Sequence, residues 1–109
     1  MATKKKKRVE CLKGIIGIMQ ENDGSNIFWI DGKEFTFNSL KKAFNSLYAE
    51  DKILLTKYFI KRETQEQIAI GCGMSQPAVN RNILEALLCL EGKLFYGVES
   101  VEKPRKKSR

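Results

Sequence analysis

The sequence predicts a mainly α fold: a small helical domain carrying a helix-turn-helix, with an N-terminal β-hairpin and disordered basic arms at both ends. Three observations predict it. From residue 38 onward, apolar side chains recur at intervals of three and four, the period of one helix face. Before that, "IFWIDGKEFTF" at residues 27–37 sets two aromatic and β-branched runs about an Asp-Gly pair. At the ends, "KKKKR" (4–8) and "KPRKKSR" (103–109) hold ten of the 20 basic residues and none of the 13 acidic ones. A chain of 109 residues suffices for one modest core. We divide it into a basic arm (1–8), a segment ending in the hairpin (9–37), a helix-turn-helix domain (38–92) and an extension with a basic tail (93–109).

Both basic runs are too charged and too poor in apolar residues to fold alone, which predicts disorder. The net charge of +7 points to a polyanionic partner. Lys4, Lys5, Lys6, Lys7 and Arg8, with Arg105, Lys106, Lys107 and Arg109, are the expected phosphate contacts. Simple solubility and a nuclear import signal are the alternative uses of such runs. Between the runs, residues 9–102 hold ten cations against thirteen carboxylates, a net of −3.

In residues 9–19, Val9, Leu12, Ile15, Ile16 and Met19 recur at helical spacing, while Gly14 and Gly17 weaken a helix; "GIIGIM" also reads as a strand. Helix is the preferred reading. "NDGS" at 22–25 is turn chemistry. In the hairpin, strands Ile27–Ile30 and Lys33–Phe37 flank Asp31-Gly32, a pair suited to the positive φ of a tight turn. A lone hairpin is marginal in water, so its apolar side should rest on helices, with Trp29 as the expected anchor or, alternatively, a partner contact.

Asn38 or Ser39 can cap a helix whose Leu40, Ala43, Phe44 and Leu47 share a face. Glu50 and Asp51 suit the first turn of the next, with Ile53, Leu54, Leu55 and Tyr58 inward. Thr64 starts another helix, and Glu66 and Gln67 are its candidate reciprocal caps. There Ile68 faces inward and Ala69 marks the closest helix–helix approach. Gly73 suits the left-handed conformation that ends a helix, and Met74 plugs the core. Ser75 caps the following helix, with Pro77 in its first turn. Val79, Ile83, Leu87 and Leu90 form the buried seam of that helix. Ser75, Gln76, Asn80 and Arg81 then face outward near its N-terminus. These residue types address a duplex: Gln and Asn pair with adenine, Arg with guanine, Ser with phosphate. A recognition helix enters the major groove by that end. Thr64, Gln65 and Pro77 complete the expected DNA-binding set.

The stretch "AFNSLYAEDKILLTKYFIKRETQEQIAIGCGMSQPAVNRNILEALLCL" resembles the C-terminal promoter-recognition domain, region four, of bacterial sigma factors over about residues 43–92. The likeness rests on the acidic pair Glu50-Asp51, on Leu54, Leu55, Tyr58 and Phe59, and on "TQEQIA" followed by Ser75, Gln76, Val79, Arg81, Ala86 and Leu87. It implies binding of the −35 promoter element through the second helix and docking on the RNA polymerase β-flap. By the same resemblance, the apolar side of the 51–61 helix is the candidate flap contact. Two departures matter. Nothing resembles the aromatic-rich region that opens the −10 element, and Arg81 is the only cation at the head of the recognition helix, with Glu85 one turn on.

The expected function is a DNA-binding transcription regulator, with double-stranded DNA and RNA polymerase as candidate partners and a homodimer as a candidate assembly. Alternatives are a helix-turn-helix repressor or recombination accessory protein, or a protein-interaction module whose helix-turn-helix does not touch DNA. Without histidine, and with three scattered cysteines, neither a zinc site nor a proton shuttle is expected. The expectation is accordingly no enzyme, no cofactor and no metal. Apolar runs fall short of the roughly 18 residues of a membrane span, and a cytoplasmic, nucleoid-associated location is expected.

Overall fold

The computed structural model describes residues 2–97. Helix α1 (Ala2–Gly17) is followed by a 3-10 turn (Met19–Glu21), strands β1 (Ile27–Ile30) and β2 (Lys33–Thr36), and helices α2 (Phe37–Asn45) and α3 (Ala49–Leu55). Helix α3 runs on into a π-helical turn (Thr56–Ile60), then come α4 (Gln65–Cys72) and α5 (Gln76–Tyr96). No described helix is long and apolar enough to cross a membrane.

Helix α1 buries Val9, Leu12, Ile16 and, just past its end, Met19, so the helical reading of this segment holds. Gly17 has a local reason. A side chain at position 17 would come within 3.4 Å of the Phe59 carbonyl and 3.8 Å of the Arg62 guanidinium, so Gly17 lets α1 lie close to the end of the π turn. The backbone is helical from Ala2, which corrects the disordered arm expected over residues 1–8. The lysine run has no core of its own, but it extends a helix anchored from Val9 onward. The expected C-terminal arm lies outside the described residues.

The hairpin turns at Asp31 (φ 54°) and Gly32 (φ 78°), both left-handed as the Asp-Gly pair suggests. Phe28 opposes Phe35 and Trp29 opposes Glu34. Side chains alternate across a strand, so Phe28 and Ile30 face the helices and Trp29 faces away. Trp29 is 59% exposed, which corrects its expected role as anchor. Phe35 takes that role, with ring centroids 5.6 Å from Phe28 and 4.9 Å from Phe95.

Strand β2 passes straight into α2. Thr36, the last strand residue, accepts a hydrogen bond from the Ser39 amide (3.1 Å) and is the cap, in place of Asn38 or Ser39. Phe37 thus becomes the first helical residue rather than part of the strand. Leu40, Ala43, Phe44 and Leu47 are all buried as expected. In α3, Leu54 and Leu55 are buried and Tyr58 beyond it packs on the core, but Ile53 is 51% exposed, against expectation. The π turn closes with a Lys61 amide to Thr56 carbonyl bond of 2.8 Å, and Arg62 follows in the left-handed region (φ 56°).

Helix α5 is the axis of the molecule, about 30 Å long at about 1.5 Å per residue, and packs against α1, α2, α3 and α4. It continues to Tyr96, past the boundary expected at 92, with Leu94 buried and Phe95 against Phe35. One apolar cluster runs from Val9 to Leu94 and joins the segments on both sides of residue 38. A polar clamp sits at its edge. Arg8 donates to the fully buried Glu91 at 2.8 Å and to Asp31 at 3.2 Å, and its guanidinium lies 4.2 Å from the Phe95 ring centroid. Hydrogen bonds to Glu91 first, then to Tyr96 and Asp31, raise the Arg8 pKa further above its ordinary value.

Candidate nucleic-acid interface

Helix α4 starts with a reciprocal cap. The Gln67 amide donates to the Thr64 hydroxyl (3.1 Å), and the Thr64 amide donates to the Gln67 side-chain oxygen (2.8 Å). Of the two candidates Glu66 and Gln67, Gln67 makes the bond because it stands three residues past the cap. At the other end Gly73 is left-handed (φ 68°, ψ 34°), and the Met74 amide reaches back to the Ala69 carbonyl at 2.9 Å. This is the closing geometry that glycine accepts without strain. Met74 is half-buried against the core, and Ser75 caps α5 by accepting from the Ala78 amide (3.2 Å). Pro77 lies in the first turn.

Between the two helices Ile68 and Ala69 are buried, and on α5 Val79, Ile83, Leu87 and Leu90 are buried. Above that seam Ser75, Gln76, Pro77, Asn80 and Arg81 are all exposed. Thr64 is exposed and Gln65 half-buried. Gln65 Nε2 donates to Asn80 Oδ1 across 3.2 Å, tying the start of α4 to the outward face of α5. Gln76 borders the same open groove as Thr64 and Gln65. Thr64, Gln65 and Gln76 thus line one groove, the Gln65–Asn80 bond links it to α5, and Ser75, Pro77 and Arg81 are exposed at the start of that helix, with amide, hydroxyl and guanidinium groups accessible. Such groups can donate to and accept from planar hydrogen-bonding edges.

The groove, about 620 Å³ in volume, brings in residues that sequence reasoning missed: Lys13 and Gly17 of α1, Tyr58 and Phe59 of the π turn, and Arg62. Arg62 was legible in part, two residues before the Thr64 cap. Lys13 was not, since its place depends on α1 packing across the π turn. Among the described residues three arginines occur. Arg8 is held by Glu91 and Asp31, whereas Arg62, just before α4, and Arg81, within α5, make no ion pair among the described residues.

The structure removes Arg8 from the expected phosphate contacts, because its charge is used inside the fold. Lys6 and Lys7 are exposed on α1. The side chains of Lys4 and Lys5, with Arg105, Lys106, Lys107 and Arg109, lie outside the described part of the structure. On the apolar side of the 51–61 stretch, Leu54 and Leu55 are buried, Tyr58, Phe59 and Ile60 are half-buried and Ile53 is exposed. With the helical residues 2–8 counted, their five cations turn the −3 of residues 9–102 into 15 cations against 13 carboxylates over residues 2–102, a net of +2.

No family model, curated protein or solved structure matches this chain.

Proposed function

We propose that this chain is a DNA-binding transcription regulator that recognises a promoter-type duplex through the N-terminal half of α5. The observation that carries the reading is that Gln76, Asn80 and Arg81 are all exposed in the N-terminal half of α5 while Val79 and Ile83 beside them are buried. An N-terminal helix end with outward amides and a guanidinium fits the major groove, where Asn and Gln address adenine and Arg addresses guanine. The net positive body supplies long-range attraction that the −3 segment by itself lacks. A single module of this size buries little surface on DNA, so tight binding calls for a second copy or for RNA polymerase. The resemblance to sigma region four favours polymerase.

The experiment is selection of duplexes from a random pool, followed by titration of Arg81→Ala and Asn80→Ala. The expected result is an enriched short site whose preference weakens with either change. No enrichment, with binding to random duplex unaffected by either change, would overturn the reading. Affinity purification from the native host with and without nuclease separates the modes of recruitment: polymerase retained after nuclease supports docking on it.

A second reading, a protein-interaction module, is favoured by one observation. Ile27 (49% exposed) and Trp29 (59%) lie together on the outer face of the hairpin. Under it, Asn80→Ala/Arg81→Ala leaves partner binding intact and Trp29→Ser abolishes it.

A further inference from the structure

Helix α1 lies outside the stretch that resembles region four, yet it forms one wall of the groove beside the recognition edge. Lys13 and Gly17 face Arg62, Thr64, Gln65 and Gln76 across that groove. Arg62 has left-handed backbone, and the missing side chain at Gly17 leaves room for its guanidinium against α1. No carboxylate neutralises it among the described residues. Lys13 is paired with Glu10 at 3.0 Å, three residues apart on an open helix face. Such a pair is weak and exchanges readily for a stronger anion. The remaining carboxylate of the groove, Glu63, has its own cation in Lys57 at 3.8 Å. Lys6 stands two turns before Lys13 on the same side of α1, exposed, about 10 Å further along the axis. That distance is about three nucleotide steps of a strand at about 3.4 Å each.

We infer that Lys6, Lys13 and Arg62 form a second contact surface, sequence-independent, for the phosphate backbone flanking the site read by α5. The inference rests on the reading of α5 as a duplex-binding helix. Bases are addressed at the Gln76 end of the groove and phosphates along the α1 wall. Phosphate contacts of this kind fix register and orientation, while base contacts specify. The surface extends the footprint of a small module without a second copy.

The test uses the full chain and fluorescence anisotropy, on a selected duplex and on a random one, over a range of salt concentrations. The variants are Lys13→Gln and Arg62→Asn; asparagine accepts left-handed backbone, so the fold is kept, as a circular-dichroism melt checks. Each change should flatten the slope of log affinity against log salt by about 0.9 and weaken both duplexes equally. Arg81→Ala, by contrast, should weaken the selected duplex more than the random one. Slopes unchanged in Lys13→Gln and Arg62→Asn, with the unaltered chain still binding, overturn the α1 surface and leave the reading of α5 standing. An unaltered chain that binds neither duplex overturns both.

Discussion

Gln65 donates its side-chain amide to Asn80 Oδ1 at 3.2 Å, so the first helix of the pair holds a side chain of the second that the proposed reading assigns to a base. The bond uses one Oδ1 lone pair and leaves the Asn80 Nδ2 protons and the other lone pair for a further partner, the donor-and-acceptor set that matches the N7 and N6 edge of adenine. Removing Asn80 should cost about 1–3 kcal/mol of discrimination at one base position. Gln65→Ala should cost part of that by freeing the Asn80 rotamer. A double-mutant cycle read by anisotropy on matched and single-base-changed duplexes should give a coupling of about 0.5–3 kcal/mol. Additive losses would mean that the two amides act separately.

Gly73 sets the angle between α4 and α5. At φ 68° an alanine fits in space, since nothing lies within 4 Å of where its methyl would sit, but its backbone is strained. Gly73→Ala should therefore lower stability by about 1–2 kcal/mol, and Gly73→Asn by less. Urea denaturation measures both. Equal stability of all three chains would show that the turn has relaxed to another conformation.

How much of this was legible in the sequence varies with the range of the interaction. Thr64, Gly73, Ser75 and Pro77 act on their own neighbours three or four residues away, and each stands where its local chemistry placed it. The seam from Val79 to Leu90 was equally plain, because helical period encodes it directly. Strand alternation left Trp29 ambiguous: either face of a four-residue strand carries aromatic or aliphatic side chains here, and only tertiary packing chooses the inner face, with Phe28 against Phe35 and Phe37 and Ile30 buried. The start of α1 was hidden for a different reason. Arg8 and Glu91 are 83 residues apart, and a run of lysines gives no hint that its last cation has a buried partner. The same long range conceals Lys13 beside Arg62.

The hairpin makes a direct contrast between two aromatic residues. Phe35 is buried between Phe28 and Phe95, so Phe35→Ala should destabilise the fold by about 3–5 kcal/mol. Trp29, larger and on the neighbouring strand, is mostly exposed, and Trp29→Thr should change stability by no more than about 0.5 kcal/mol. Chemical denaturation of both variants checks the assignment of the inward face. Reversed magnitudes would mean that the strand register is shifted by one residue.

The Arg8–Glu91 pair should behave as a clamp whose halves are costly apart and dispensable together. Arg8→Met leaves a carboxylate buried and without its cation, and one of its oxygens, Oε1, has no hydrogen-bond partner even with Arg8 in place. The single change should lower the urea midpoint and speed amide exchange along α1, because α1 loses its polar tie to the hairpin turn and to α5. Adding Glu91→Leu to Arg8→Met removes the stranded charge, so the midpoint should recover most of the loss. Exchange in α4 should be unaffected throughout, since its cap at Thr64 and its closure at Gly73 are local. Recovery in the double variant, with the N-terminal lysines still in place, would show that the helix over residues 2–8 depends on packing through position 8 rather than on charge. A double variant as unstable as Arg8→Met would instead assign the loss to the missing bond with Asp31 and the hairpin turn.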